Sequence, residues 1–295
     1  MRRTRLAALG AVAALVLTAC GDAGEDGGGD DAAAGNTYEV VENPELTGAA
    51  AELAEAGKVT IGVKFDQPGI GFKGATDDVP EGFDPEMGKI IAGQLGLEPD
   101  AIEWVETISD NREPFLQKGT VDFVIASYSI TDERREVVGQ AGPYYVTGQS
   151  LLVAADDDSI NGPDDLDGKK VCSVTGSTSI ATVEEEYGAD PAGFDTYSEC
   201  VDQLKNGSVD AVTTDGAILL GYAAEDPDAL KVVGDPFSEE RYGIGFNKDA
   251  EGMCEFVNDA LTNAFENGDW QKAFDATLGE GGSEAGDPPE LDPCE

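Results

Sequence analysis

The stretch that decides the fold is VDFVIASYSITDERRE, residues 121–136. Its first ten residues are mostly apolar, β-branched or aromatic, which predicts a buried strand. Thr131 or Asp132 can then cap a helix that opens with charged residues. A buried strand that runs into a helix is typical of chains whose strands and helices alternate. Such chains form sheets with parallel crossovers and helices on both faces.

The same alternation extends to both sides of this stretch. Before it, a strand at 58–65, a helix at 82–96, a strand at 101–107 and a helix at 111–119 are predicted. In the longer helix, Asp84 is the expected N-cap and Pro85 suits the first helical position. After it, strands and helices again alternate over 149–279, where two final helices are separated near Gly268.

Two halves of the same kind predict two lobes. The similar passages at 144–154 and 240–248 both read as strands that could link them. The first lobe is then discontinuous, with parts at 57–146 and 243–295, and the second lobe is 147–242. The fold expected is therefore α/β and two-lobed, each lobe a mainly parallel sheet flanked by helices, with two hinge strands between them.

The N-terminus predicts export. Residues 1–19 combine a basic start with a short apolar core, which is typical of a signal peptide and too short for a spanning helix. The sequence Leu17-Thr18-Ala19-Cys20 resembles a bacterial lipobox, so Cys20 is the expected lipidated residue after cleavage. A plain signal peptide with an incidental cysteine is the alternative. Residues 20–56 then form a flexible, Gly-, Ala- and acid-rich tether and the start of the first lobe.

Charge and composition exclude several functions. The chain has no histidine, which rules out His-ligated metal sites and catalysis by a histidine base. Removal of residues 1–19, which hold three arginines and no acid, leaves 15 basic against 60 acidic residues and a net charge of −45. Nucleic acid is not an expected partner of so acidic a chain. No metal or cofactor site is predicted.

Four cysteines follow Cys20, and they are expected to form disulfides, as an even number in an exported protein indicates. Four cysteines allow three pairings. We favour Cys172–Cys200 and Cys254–Cys294, because each pair joins neighbours in the domain order. The second disulfide would hold the C-terminal tail, which otherwise has little reason to be ordered.

Six segments, in this order, resemble the family 3 solute-binding proteins, the polar amino-acid receptors of ABC importers. They are GFDPEMGKIIAGQLG, VDFVIASYSITDERRE, PYYVTGQSLLV, DLDGKKVCSVTGSTS, VDAVTTDGAIL and YGIGFNKD. The KFDQPG segment (64–69) and the cysteine placement are most similar to lipid-anchored glutamate-binding proteins of actinobacterial type. The resemblance implies a monomeric receptor on the outer face of the cell membrane that binds an amino acid and delivers it to a permease. It implies neither catalysis nor a cofactor.

The resemblance also implies which residues hold the ligand carboxylate. Arg134 matches the carboxylate-binding arginine of the family, whereas Arg135 has no matching role and is expected to face solvent. Ser127 and Ser129 match strand-end positions that bind through backbone and hydroxyl groups. Thr178 matches a position whose N–H faces the carboxylate at the start of a helix. The competing interpretation of Arg134 is an ion pair with Glu133 or Glu136 on its own helix.

For the ligand ammonium, Asp215 matches the family's carboxylate, and a simple helix N-cap is the competing role. The candidates for the side-chain pocket are Lys64, Gln67, Arg112 and Thr214. Gln67 stands where glutamine receptors of the family often have an aromatic residue, which Phe65 or Tyr145 could replace. A lysine at the end of a buried strand is costly unless paired, so Lys64 favours glutamate over glutamine or aspartate as ligand.

Two other functions fit the same fold. An enzyme of dehydratase or lytic type would need a cleft acid of raised pKa. A sensory or structural surface module would need no transport at all.

Overall fold

The computed structural model contains two five-stranded sheets. It describes residues 38–280, 283 and 285–294. The predictions for the signal peptide, for Cys20 and for most of the tether lie outside the described residues. The strands are β1 (Val59–Val63), β2 (Asp66–Gln67), β3 (Gly71–Phe72), β4 (Ile102–Glu106), β5 (Phe123–Val124), β6 (Gly139–Thr147), β7 (Gln149–Ala154), β8 (Lys170–Val174), β9 (Asp190–Phe194), β10 (Ala211–Asp215), β11 (Leu230–Val233) and β12 (Glu240–Phe246). The helices are α1 (Gly48–Ala56), α2 (Phe83–Gln94), α3 (Arg112–Gln117), α4 (Asp132–Val137), α5 (Thr178–Tyr187), α6 (Tyr197–Lys205), α7 (Gly216–Glu225), α8 (Met253–Asn267) and α9 (Asp269–Asp275).

Each sheet is mainly parallel, as predicted. The first sheet has the order β4-β1-β5-β12-β6, and the second has the order β11-β7-β10-β8-β9. In the first, β12 runs against both neighbours, and in the second β7 does. The other strands of each sheet therefore share one direction, and one reversed strand interrupts each.

The chain crosses between the sheets at the two passages expected to be hinges. Strand β6 ends at Thr147 in the first sheet, and β7 begins two residues later in the second. The return crossing lies between β11 and β12, and β12 pairs with β6 from Glu240↔Thr147 onward. The limits of the lobes at 146/147 and 242/243 stay a prediction.

Strand β5 is much shorter than the strand predicted over 121–130. Regular strand pairing is interrupted at Ser127, whose φ of 43° lies in the left-handed region that non-glycine residues rarely adopt. Beyond it the chain keeps only an isolated antiparallel bridge to the sheet, between Ser129 and Tyr242 of β12. The Ser127 N–H donates instead to Asp84 Oδ2 at 2.7 Å. This corrects the role of Asp84, because helix α2 follows Gly82 and Asp84 is a fully buried side chain inside it.

Aromatic side chains fill the core beside the first sheet. Phe83 of α2 lies with its ring 5.9 Å from Tyr144 of β6 and 5.8 Å from Phe274 of α9. The indole of Trp270 also donates to the Tyr144 carbonyl oxygen at 2.8 Å. These contacts pack the last helices of the chain against α2 and the first sheet.

Both favoured disulfides are confirmed. Cys172 on β8 is bonded to Cys200 on α6, and Cys254 on α8 is bonded to Cys294 in the C-terminal tail. The tail is also held by Asp292, which accepts from Arg135 at 2.7 Å and from Arg241 at 2.5 Å. The expectation that Arg135 faces solvent is therefore wrong, since its side chain is only 28% exposed and is bound to the tail.

Candidate functional site

A narrow cavity lies between the two lobes, where the strand ends of both sheets meet. Its walls are made by polar side chains from both lobes. They are Ser109, Arg112, Ser127, Ser129, Arg134, Ser177, Thr178, Ser179, Tyr197, Thr214 and Asp215. The structure thus brings seven of the residues predicted for the ligand site into one wall. Lys64 and Gln67 stand apart from it.

Arg134 and Arg112 supply the positive charge of the cavity. Both guanidinium groups lie over the ring of Tyr128, at 4.9 and 4.6 Å from its centroid. Each also donates to the Gly176 carbonyl oxygen of the second lobe at 3.2 Å. The arginines of the first lobe therefore reach across the cleft to the loop that precedes α5.

Among the described residues, Arg134 makes its ion pair with a neighbouring helix and not with its own. Arg134 donates to the Ser129 carbonyl oxygen at 2.7 Å, and its Nε lies 3.2 Å from Glu113 Oε1 on α3. The competing interpretation, a pair with Glu133 or Glu136, is therefore wrong for the closed cleft. The Thr131 hydroxyl caps α4 by accepting from the Arg134 N–H, which orients the first turn toward the cavity.

Asp215 supplies the negative charge from the second lobe. It ends β10, is 4% exposed, and accepts from the Tyr242 hydroxyl at 2.5 Å through Oδ2. Its Oδ1 is buried and has no hydrogen-bond partner among the described residues. Burial, followed by the nearby Glu240 carboxylate, raises the pKa of Asp215 to about 7. A cation placed against Oδ1 would relieve both effects.

The start of helix α5 faces the same cavity. Ser177 caps it by accepting from the Ile180 N–H, and Thr178 is the first helical residue. The first N–H groups of a helix have no partner within the helix and carry partial positive charge. Together with the two guanidinium groups, they make this end of the cavity suited to an anion.

Lys64 lies one hydrogen bond behind the cavity wall. Its Nζ donates to Ser109 Oγ at 2.8 Å, and the residue is 3% exposed. Burial, and next the charge of Arg112, lower the pKa of Lys64 to about 7. Gln67 on β2 is fully buried, and neither amide atom has a partner in the described part of the chain. Tyr145, which could have replaced the missing aromatic, packs instead against Tyr242 and Phe83.

Several residues that shape the site were not predicted from the sequence. Tyr197 provides an aromatic surface in the cavity. Ser109, also in the wall, accepts a hydrogen bond from Lys64 and so connects the cavity to that residue. Tyr242 and Glu240, both on hinge strand β12, bond to side chains of the wall. No sequence pattern indicated these residues, because a tyrosine or a glutamate in a strand has no predictable partner until the neighbouring strands are known.

Comparison with known proteins agrees with this architecture. Residues 59–280 match the family of bacterial extracellular solute-binding proteins, family 3. The chain belongs to this family. It is 40% identical to the glutamate-binding protein GluB of Corynebacterium efficiens, over 94% of this chain and 92% of that one. It is 31% identical to the ABC transporter glutamine-binding protein GlnH of Bacillus subtilis, over 91% and 94% of the two chains.

A solved structure gives the same result. An ancestral arginine-binding protein bound to glutamine superposes with a TM-score of 0.71 at 37% identity, covering 76% of this chain and 98% of that one. The expected fold and family are thereby confirmed. The relatives are named as binding proteins and not as enzymes, as expected for this chain.

Within the described ranges, no helix is both long and apolar enough to cross a membrane. The same residues contain no cluster of three or more histidine, cysteine or acidic side chains that could hold a metal ion.

Proposed function

We propose that this family 3 protein binds a free polar amino acid, glutamate by preference, between its two lobes and delivers it to the permease of an ABC importer. The protein would act as a monomer on the outer face of the cell membrane, anchored through a lipid on Cys20. Closure of the lobes around the ligand would present a new surface to the permease.

The observation that supports this most is the charge arrangement of one cavity. A free amino acid carries a carboxylate and an ammonium on one carbon. Arg134 and the helix start at Thr178 offer donors to the carboxylate, with Ser127 and Ser129 beside them. Asp215 offers the ammonium a buried oxygen that has no hydrogen-bond partner in the described part of the chain. Both groups of a zwitterion can therefore be neutralised at once.

The preference for glutamate rests on the side-chain end of the cavity. Arg112 lines the wall, and Lys64 stands behind Ser109. A second ligand carboxylate placed there would face two cations, with Thr214 completing the pocket. The names of the relatives, a glutamate-binding and a glutamine-binding protein, favour the same substrate class.

Isothermal titration of the unfolded and refolded protein with the twenty amino acids tests this function. We expect binding of L-glutamate, with L-glutamine and L-aspartate weaker. Arg134→Ala should abolish the heat, and Arg135→Ala, its neighbour on the same helix, should retain it. If no amino acid gave heat or a thermal shift with the wild-type protein, the proposal would be wrong.

A further inference from the structure

Glu240 is the buried acid that joins the two walls of the cavity. It begins hinge strand β12 and is 5% exposed. Its Oε2 accepts from Ser129 Oγ of the first lobe at 2.5 Å and from Thr178 Oγ1 of the second at 3.1 Å. Its Oε1 accepts from Ser238 Oγ at 3.1 Å. One carboxylate thus binds hydroxyl groups from both lobes.

These hydrogen bonds determine what the two hydroxyl groups can offer a ligand. An ionised carboxylate accepts hydrogen bonds and donates none, and a hydroxyl group has a single proton to donate. Ser129 and Thr178 direct that proton to Glu240. Toward the cavity, each oxygen then presents lone pairs only. A ligand carboxylate would be repelled by these oxygens, whereas an ammonium group could donate to them.

We propose that Glu240 is a positioning residue of the ligand site that turns the hydroxyl groups of Ser129 and Thr178 into acceptors for a ligand cation. This inference rests on the proposed function and refines it. The two hydroxyl oxygens would join Asp215 Oδ1 as acceptors for the ammonium group. The ligand carboxylate would be left to the arginines and to backbone N–H groups. Glu240 would touch no ligand atom itself.

A role toward a ligand cation explains why Glu240, a buried acid with no ion pair among the described residues, stands beside Asp215. Glu240 is one of the causes, after burial, that raise the pKa of Asp215. Two carboxylates in one buried site favour a cation between them or beside them. The Thr178 contact also joins Glu240 to the second lobe, so this arrangement of acceptors is complete only when the lobes are closed.

The test compares Glu240→Gln with Glu239→Gln, since Glu239 is the exposed neighbour and its replacement changes the charge equally. The probes are L-glutamate and glutarate, which has both carboxylates and no ammonium. Glutarate is measured by competition at up to millimolar concentration. A glutamine side chain can donate as well as accept, so it no longer fixes the direction of both hydroxyl protons. We expect Glu240→Gln to lower the affinity for L-glutamate roughly ten- to hundredfold. Its affinity for glutarate should stay within about threefold of the wild-type value. Glu239→Gln should change neither.

An equal loss for both probes would mean that Glu240 only holds the lobes together, and would overturn the inference, as would an unchanged affinity for L-glutamate. If Glu240→Gln does not fold, as judged by circular dichroism, Thr178→Val removes one of the two hydroxyl groups with little change of shape. The same selective loss is then expected, and an equal loss for both probes would again overturn the inference. Wild-type protein that binds no amino acid would contradict the proposed function itself, whatever the variants do.

Discussion

At the scale of single residues, the two adjacent arginines of the opening stretch have different tasks. Arg134 lines the cavity, whereas Arg135 binds Asp292 of the tail. We expect Arg134→Ala to abolish amino-acid binding, because a bidentate donor for the carboxylate is lost. Arg135→Ala should leave the affinity within about threefold and lower the free energy of unfolding by about 0.5 kcal/mol, since its partly exposed ion pair is weak.

Titration calorimetry and urea unfolding of both variants measure these two effects separately. Equal losses of affinity would show that α4 acts as a whole and that the two side chains were assigned wrongly.

Asp215 is expected to make ligand binding depend on pH. With its pKa raised to about 7, Asp215 is about half protonated at neutral pH in the ligand-free protein. A ligand ammonium favours the ionised form and lowers this pKa, so binding should release about half a proton at pH 7. Affinity for L-glutamine should therefore fall as the pH is lowered from 8 to 5.

The release is measured by titrating L-glutamine at pH 7 in phosphate and in Tris, whose ionisation enthalpies differ. The variant Glu239→Gln, a change at an exposed site, should release the same fraction of a proton on binding L-glutamine as the wild-type protein. Identical binding enthalpies in the two buffers would contradict the role of Asp215.

Because of Lys64, the net number of protons released on binding should differ between L-glutamate and L-glutamine. Burial and the charge of Arg112 lower its pKa to about 7. A second ligand carboxylate near Lys64 would raise that pKa, and Lys64 would take up a proton that offsets the release at Asp215. At pH 7, we therefore expect less net proton release with L-glutamate than with L-glutamine.

Lys64→Met should remove that difference, and the same pair of buffers measures it. If the wild-type protein released equal numbers of protons on binding L-glutamate and L-glutamine, the second carboxylate of L-glutamate would lie away from Lys64.

The residue scale also shows how far a sequence could predict the site. The resemblance of the ordered motifs predicted Arg134, Ser129, Thr178 and Asp215 as ligand contacts, and all four line the cavity. The direction of their hydrogen bonds could not be predicted. Glu240 lies more than 100 positions from Ser129 in the chain, and only the pairing of β12 with its neighbours brings them together.

At the scale of elements, the hairpin of β2 and β3 is one part of the first lobe that contacts the second. The Tyr197 N–H at the start of α6 donates to Asp66 Oδ2 at 2.7 Å, and the Tyr222 hydroxyl of α7 donates to the Asp66 carbonyl oxygen. This hairpin, α1 and β9 were not predicted from the sequence. Strands of two residues carry no alternating pattern, and β9 (DPAGF) contains the proline and glycine that usually indicate a turn.

The contact of this hairpin with α7 predicts opposite effects on stability and affinity. A Cβ on Gly221 would lie 2.3 Å from the Pro68 carbonyl oxygen, which is backbone and cannot move aside cheaply. Alanine favours a helix over glycine by up to about 1 kcal/mol. Gly221→Ala should therefore leave the free energy of unfolding unchanged or raise it. It should weaken L-glutamate binding about tenfold, because the closed state becomes rarer.

Urea unfolding without ligand and calorimetry with L-glutamate measure the two effects. Unchanged affinity would show that the lobes close without bringing the hairpin against α7.

At the scale of the whole molecule, the C-terminal tail holds the first lobe together from outside. The Cys254–Cys294 disulfide closes a loop with a sequence separation of 40, and the Asp292 N–H donates to the Gly142 carbonyl oxygen of β6. The tail therefore links α8 to the hinge strand. The disulfide was predicted from the domain order. The ion pairs of Asp292 in the tail with Arg135 and Arg241 were not predicted.

Replacement of both tail cysteines by serine should lower stability far more than it lowers affinity. Loss of a crosslink over this loop is expected to cost up to about 4 kcal/mol, or on the order of 10 °C in melting temperature. Affinity for L-glutamate should stay within about threefold, because Lys248 Nζ still donates to the carbonyl oxygens of Arg135 and Glu136 and holds α4. Scanning calorimetry measures the first effect and ligand titration below the melting range the second. A melting temperature equal to that of the wild-type protein would mean that the tail contributes nothing to the fold, and a loss of binding at full stability would mean that it positions Arg134 directly.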